Sequence, residues 1–450
     1  LAKAKTTAKA KKALSAKKKA ELAVGGGSQK PSPDDVIDYI NMRHGRHGPV
    51  IRKANETWDA YDLRRPCGVP GVDINSGGGL PAGNLSQLDG PESVGKNYLL
   101  NLYIREGQGN YGRDSVTGMC CFEPPDKRFM QLCGVWVPMS DYDIDVTQSA
   151  RKRLGQELMS RSEIKAAKNM LEIGDVHFLD TGPAEDRLNG IVHMVDANIY
   201  QIIGIDSWDS LLTQYEKECD LGEDARVAAA ASVETMWMKK VTDALSPKYR
   251  CPDCGFAPLE SNVTSFVARR YNYVCSGCNW KGKDPFVEIN TTTIIAIRQA
   301  RAKNVGRALA KQRGRDYHSQ GAWALKHGNQ VRISLHPGEI FRVGKTTIGK
   351  EINWQIAKGK SGAREYSIGS FGLNFDPIFT DVVHDLVSYC LQHQIVEQAG
   401  KGYYNIPVLD ISKIHGRAAI NDLVNENENY FEILLDEVYN AEGLAHVRFA

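Results

Sequence analysis

No stretch of this 450-residue sequence approaches the ~18 consecutive apolar residues that a membrane helix needs, and no apolar signal segment opens it. Those absences argue against a membrane protein and against export, and the expectation is a cytoplasmic protein. A disulfide framework is also lacking. Of the ten cysteines, Cys67, Cys120, Cys121, Cys133, Cys219 and Cys390 are scattered without framework spacing, as in a reducing compartment. Acidic residues are missing between 298 and 315, and lysine and arginine are missing between 421 and 443. What remains is ordinary for a globular chain: 42% hydrophobic, 24% charged and a net charge of +2. The length predicts two to three domains at ~150 residues each.

The charge is unevenly spread. Residues 1–24 carry eight Lys and one Glu, whereas 421–443 carry seven Asp or Glu. A basic arm and an acidic end suit contact with a polyanion and its modulation, or equally two solvated ends. Residues 1–30 read as a basic flexible arm ending in Gly25-Gly26-Gly27-Ser28. A helix is expected from Ser32, with Pro33 in its first turn and Val36, Ile37 and Ile40 on one face.

The chain is organised around Gly90, Pro91, Glu92, Ser93, Val94, Gly95, Lys96 and Asn97, between an apolar-tending segment at 84–89 and the start of a helix. The two glycines let successive N–H groups turn inward at the positive end of a helix, a cradle for phosphate oxygens, and Lys96 reaches the β/γ-phosphates. The usual Ser or Thr that ligates Mg²⁺ is replaced by Asn97. Residues 118–122 read as a buried strand ending at Glu123, 150–173 as one helix, and 176–179 as a short strand. The apolar strand 201–206 ends in Asp206, where a carboxylate can hold Mg²⁺ through water. A further strand, 293–297, ends at Arg298 and Gln299. Strands alternating with helices imply an α/β fold with a mainly parallel, helix-covered sheet. Ligands bind at the carboxyl ends of its strands, where Lys96, Glu123, Asp206 and Gln299 fall.

Cys251-Pro252-Asp253-Cys254 and Cys275-Ser276-Gly277-Cys278 form two C-x-x-C knuckles on either side of an interval that alternates enough for a small hairpin. Four thiolates so arranged match a tetrahedral, closed and therefore structural Zn²⁺ site; a redox pair is the competing reading. The face carrying Arg269, Arg270, Tyr271 and Trp280 suits a nucleic-acid or partner contact, or the ribbon is a plain staple. Arg298, Arg301, Lys303, Arg307, Lys311, Arg313 and Arg315 occur without an intervening acid. That density suits a DNA backbone, against the alternative of a solvated basic helix.

In order along residues 33–440, these features resemble the bacterial RecA recombinase family. Gly78-Gly79-Leu80-Pro81-Ala82-Gly83 and the phosphate loop are similar to that family's, as are Ile205-Asp206-Ser207, Arg298-Gln299-Ala300-Arg301, Ala324-Leu325-Lys326, Val331-Arg332-Ile333, Lys358-Gly359-Lys360 and the stretch from Gln398 to Tyr404. The resemblance implies that Glu123 activates water, that Asp126 and Phe129 contact adenine, and that Gln299 is a switch opening a DNA-binding loop. It also implies that Lys358 and Lys360 reach the γ-phosphate of a neighbouring subunit. The implied architecture is a RecA-like phosphate-loop ATPase core over 66–375, preceded by an N-terminal helix and polymerisation segment at 31–65. Residues 140–174 read as a helical insertion and 248–287 as an inserted zinc ribbon, and a small α/β domain with an acidic end covers 376–450. Asn97 and the two insertions mark a divergent member, with a phage source among the expectations.

The expected function is therefore an ATP-dependent, Mg²⁺- and Zn²⁺-containing DNA recombinase. It would assemble into a helical filament on single-stranded DNA and pair it with double-stranded DNA, without a membrane partner. A ring-forming helicase or repair ATPase, and an ATP-gated DNA-coating protein with little hydrolysis, are the alternatives.

Overall fold

The runs 202–205 and 294–297 are apolar at consecutive rather than alternate positions, a pattern required of strands covered on both faces. The computed structural model places both runs in the middle of such a sheet. It describes residue 40 and residues 63–111, 116–137, 141–153, 155–168, 175–219, 229–255, 260–265, 270–282, 286–302, 317–319, 328–375 and 378–448. The basic arm and nearly all of the expected helix from Ser32 lie outside these. The chain divides into two compact units, one containing residues 248–288 and the other residues 58–247 and 289–450.

The larger unit is built on a ten-stranded sheet. Its strands are β1 (Leu85–Gly90), β2 (Val116–Cys121), β3 (Asp175–Leu179), β4 (Tyr200–Asp206), β5 (Thr293–Ala302), β6 (Tyr317–Ser319), β7 (Val331–Val343), β8 (Thr346–Gly359), β9 (Ile368–Phe375) and β10 (Ile378–Thr380). The spatial order is β10-β9-β8-β7-β1-β5-β4-β2-β3, with β6 paired to the far end of β5. Strands β7, β1, β5, β4, β2 and β3 run parallel, and β8 to β10 continue the sheet antiparallel.

Period-two alternation divides the apolar side chains between two cores. Leu88, Ile295 and Ile297 pack with Leu99, Leu102 and Tyr103 of helix α1 (Lys96–Tyr111) on one face. Leu85, Ile294, Ala296, Ile203 and Ile205 face Leu188 and Ile191 of α2 (Ala184–Ala197) and Trp237 and Val241 of α3 (Ala229–Leu245) on the other. Each large apolar side chain removed from water in this way contributes ~1.5–3 kcal/mol. The double covering makes the phosphate-loop end of the sheet a rigid support.

Two readings of the sequence need correction. Residues 150–173 do not form one helix: Asp141–Arg153 and Arg161–Lys168 are separate, and residues 169–174 lie outside the description. Gly155 takes a left-handed φ of 65°, and Gln156 N–H returns to the Arg151 carbonyl at 2.9 Å, closing the first helix. The second starts at a capping box, with Ser160 N–H donating to Glu163 at 2.6 Å and Glu163 N–H to Ser160 Oγ at 3.2 Å. Leu158 is exposed in the break. Strand β5 also does not end at Gln299. It runs on to Ala302, where Arg301 pairs with His318 of β6 in antiparallel register.

The C-terminal part folds over its own core of Leu386, Val387, Ile406, Ile420 and Leu434. Helix Val382–Gln392, a three-stranded antiparallel sheet (Glu397–Gly400, Tyr403–Ile406 and Ile411–His415) and helices Arg417–Asn425 and Glu428–Ala441 build it. Ile74, from the short helix Pro70–Asn75, completes that core.

Taken by itself, the smaller unit pairs Lys248–Arg250 with Phe286–Glu288 and carries the hairpin Glu260–Ser265 and Arg270–Val274, edged by Lys281–Gly282. Its small core is Cys251, Tyr273 and Cys275, with Tyr249 stacked on Tyr273 at 5.5 Å.

Candidate active site and metal centre

The four neighbouring strands β1, β5, β4 and β2 end together, and each delivers one of the expected groups. In the parallel register Arg298 lies beside Asp89 and Gln299 beside Gly90, so β5 sets Gln299 against the root of the phosphate loop. Lys96 is the first residue of α1, directly behind the loop. Its Nζ donates to the carbonyls of Gly90 (3.0 Å) and Pro91 (2.6 Å), so the ammonium already sits in the loop's concavity. Burial pulls its pKa down, opposed by the nearby Asp206. The loop glycines are steric necessities. A Cβ on Gly90 would lie 2.5 Å from the Leu335 carbonyl oxygen, and one on Gly95, whose φ is 105°, would lie 2.5 Å from Ile352 Cδ1.

A cavity of about 420 Å³ opens over these ends, lined by Glu92, Ser93, Lys96, Asn97, Glu123, Phe129, Asp206 and Gln299 among others. Within it, Asn97 Nδ2 donates to Asp206 Oδ2 at 2.7 Å. Burial and the nearby Glu123 charge push the Asp206 pKa up to about 6. Glu123 goes the other way: the hydroxyls of Ser210 and Ser207, each 2.7 Å from Oε1, hold its carboxyl below the usual range. Two adjacent carboxylates are thus set apart electrostatically, one stabilised as an anion and one strained as an anion until a cation meets it. Phe129 lines the cavity, and Asp126 caps the helix Lys127–Leu132 that presents it, accepting from Phe129 N–H at 2.9 Å.

Several lining residues escaped the sequence reading: Tyr98, Lys350, Leu373, Phe375 and Ile378. Lys350 donates to the Ser93 carbonyl. All but Tyr98 arrive from β8 to β10, more than two hundred positions after the loop, and no local motif announces them. Lys358, near the end of β8, and Lys360, just past it, stand off the cavity on this chain. Burial first, then the adjacent charges of Lys360 and Arg332, bring the Lys358 pKa down to about 8.

The basic run divides. Arg298 is only 2% exposed, with Nη1 at 3.3 Å from Glu234 and Nη2 at 3.7 Å from Asp209. The expectation that it meets DNA is therefore corrected: acids distant in sequence neutralise it inside the fold. Arg301 lies on the β5 extension, while Lys303, Arg307, Lys311, Arg313 and Arg315 lie outside the described residues. Of the ribbon's expected contact face, Arg269 is likewise outside, and Trp280 packs partly buried against the small core.

The sulfur atoms of Cys251, Cys254, Cys275 and Cys278 all lie within 4.8 Å of one another, with 3.6 Å between Cys251 and Cys278 and 3.5 Å between Cys254 and Cys275. Such a cluster of four thiols could hold one tetrahedral ion.

Fold and site together define an α/β core with a phosphate loop, consistent with the RecA-like type. Compared with known proteins, the chain is 23% identical over 419 residues to a protein RecA of Leifsonia xyli, covering 90% of this chain and 92% of that one. It is 22% identical to a protein RecA of Thermus aquaticus (84% and 85% covered) and 22% identical to one of Streptomyces ambofaciens (90% and 86%). No family model matches. These matches, at 22–23% identity over most of the chain, support a divergent relative of the RecA type. These relatives are bacterial and lend no support to a phage source.

Proposed function

We propose that the protein is an ATP-dependent DNA recombinase that polymerises on single-stranded DNA and pairs it with a homologous duplex in the cytoplasm. The observation that carries this reading is the meeting of Lys96, Asn97, Glu123, Asp206 and Gln299 in one cavity at the carboxyl ends of four adjacent strands. Glu123, kept anionic by two hydroxyls, is the base that orients and deprotonates a water. Lys96 moves from the Gly90 and Pro91 carbonyls onto the phosphates. Phe129 and Phe375 offer faces for a base. Asp206 and Asn97 are the groups that would hold Mg²⁺, which neutralises charge developing on the phosphates. Lys358 and Lys360, standing away from their own chain's cavity, serve that of the next subunit, and Gln299 reports nucleotide occupancy to the basic loop. The four-cysteine cluster holds a structural Zn²⁺, since no ligand position is left open.

A specific observation favours one other reading, a DNA-coating protein that binds ATP and scarcely hydrolyses it. The Asn97 amide occupies the Asp206 oxygen that the metal's water shell needs. Mixing experiments test the shared site. Lys358→Ala and Lys96→Ala should each abolish DNA-stimulated hydrolysis alone, while mixtures regain part of it through interfaces intact on both sides. Absence of rescue at every ratio refutes a site shared between subunits.

A further inference from the structure

The turn Ser207–Ser210 that follows β4 holds two unlike partners. On one side, the hydroxyls of Ser207 and Ser210 both bond Glu123 Oε1, and Phe122 N–H donates to the Asp206 carbonyl at 2.7 Å. On the other side, Asp209 accepts from Gln299 N–H and faces Arg298 Nη2 at 3.7 Å. Arg298 in turn meets Glu234 of α3 at 3.3 Å. The side chains of Arg298 and Glu234 are 3% and 6% exposed, so that pair meets with little screening from water, while Asp209, on the turn, is 19% exposed. Trp208, in the same turn, packs on Trp237 of α3 with ring centroids 4.8 Å apart, and Trp237 Nε1 donates to the Leu188 carbonyl at 3.0 Å.

We infer that Asp209, Arg298 and Glu234 form the link by which nucleotide occupancy passes from Glu123 to the strand bearing Gln299 and to α3, with Asp209 as the positioning residue at its centre. This deepens the ATPase reading above and rests on it. The physical reason is that one carboxylate serves both the turn and the water. In this structure Oε1 of Glu123 accepts from two hydroxyls. A water oriented for attack by the other oxygen shares the carboxylate's charge and weakens its bonds to Ser207 and Ser210, which loosens the turn. Asp209 then moves with its turn, and Gln299 N–H and the Arg298 guanidinium must follow or find new partners. A ligand shifts such an equilibrium only through groups that differ between its states, and here those groups are named. The arrangement also explains why Arg298 is withdrawn from the basic run.

The test uses the full chain with ATP and a single-stranded oligonucleotide. Asp209→Asn keeps an acceptor for Gln299 N–H but removes the charge facing Arg298; Glu234→Gln removes the charge at the far end, on a different element, and carries the same test if Asp209→Asn does not fold. Trp208 emission, isolated by subtracting the Trp208→Phe protein, reports on the turn, and a fluorescent ATP analogue reports binding. In the native protein ATP should change Trp208 emission. In both variants the analogue should bind with unchanged affinity, the emission change should vanish, and DNA stimulation should fall on the order of 10-fold, within the usual span of coupling between sites, while DNA-free turnover stays unchanged. Variants that keep both the emission response and the stimulation overturn the link. If native protein shows no DNA stimulation but the emission response is present and lost in the variants, the recombinase reading fails and the link stands.

Discussion

Replacing Asn97 with Thr perturbs the one position at which the phosphate loop departs from its usual chemistry. In the structure its amide donates to Asp206 Oδ2 at 2.7 Å, and Asp206 has a pKa pushed up to about 6 by burial and by Glu123. The bond is exposed and water competes for it, so its net worth is only about 0.5–1.5 kcal/mol, and Asn97→Thr should lower the stability of the metal-free protein by that order at most. With Mg²⁺ the sign reverses. The amide no longer occupies the carboxylate, and the hydroxyl can ligate the ion directly, bringing the phosphates and Glu123 into register. Misplacement on the scale of an ångström costs ~100-fold in rate, or ~2.7 kcal/mol of barrier, which bounds the gain. Steady-state phosphate release with saturating ATP, Mg²⁺ and single-stranded DNA should therefore rise between about 10- and 100-fold, with ATP affinity held by Lys96 and the loop N–H groups. Lower turnover in Asn97→Thr would refute the reasoning and mean that the amide is itself the working ligand.

Freshly purified, reduced protein should contain one zinc per chain, and Cys275→Ser should lose it; metal analysis finding none would remove the ribbon's metal. Replacing Arg307, Lys311, Arg313 and Arg315 with Ala should weaken single-stranded DNA binding and flatten its salt dependence, because fewer counterions are released; an unchanged slope moves the DNA contact elsewhere. Lys358 supplies a pH test. Its pKa in the subunit is about 8, below the usual lysine value, so the cation is present below pH 8 and lost above it. Contact with phosphate restores the higher pKa, so ATP-dependent assembly must take up a proton above pH 8 and weaken by as much as about tenfold per pH unit. Assembly followed by light scattering from pH 7 to 9.5 should show that decline, and Lys358→Arg should remove it.

The phosphate loop was legible in the sequence because Gly90, Gly95 and Lys96 stand at a fixed spacing within one short segment, although the atoms that crowd the two glycines, Leu335 and Ile352, come from far along the chain. The same holds for β4 and β5, whose short apolar runs suit strands buried on both faces, and for the four cysteines, whose two short spacings suit a common centre. The break at residues 155–160 was also written locally, in Gly155 and in the Ser160–Glu163 box, although apolar spacing alone suggests a continuous helix. Other features had no local signature. Lys350 and Phe375 reach the cavity only because the antiparallel strands β8 and β9 extend the sheet past the parallel strand β7, itself beside β1. Arg298 belongs by sequence to a run without acids, but Asp209 and Glu234 claim it once β4, β5 and α3 are stacked. Sequence determines which groups are carried and which short segments hold them. Tertiary structure decides which charges face each other across low-dielectric space, because a pairing of that kind depends on distance through the fold and not along the chain.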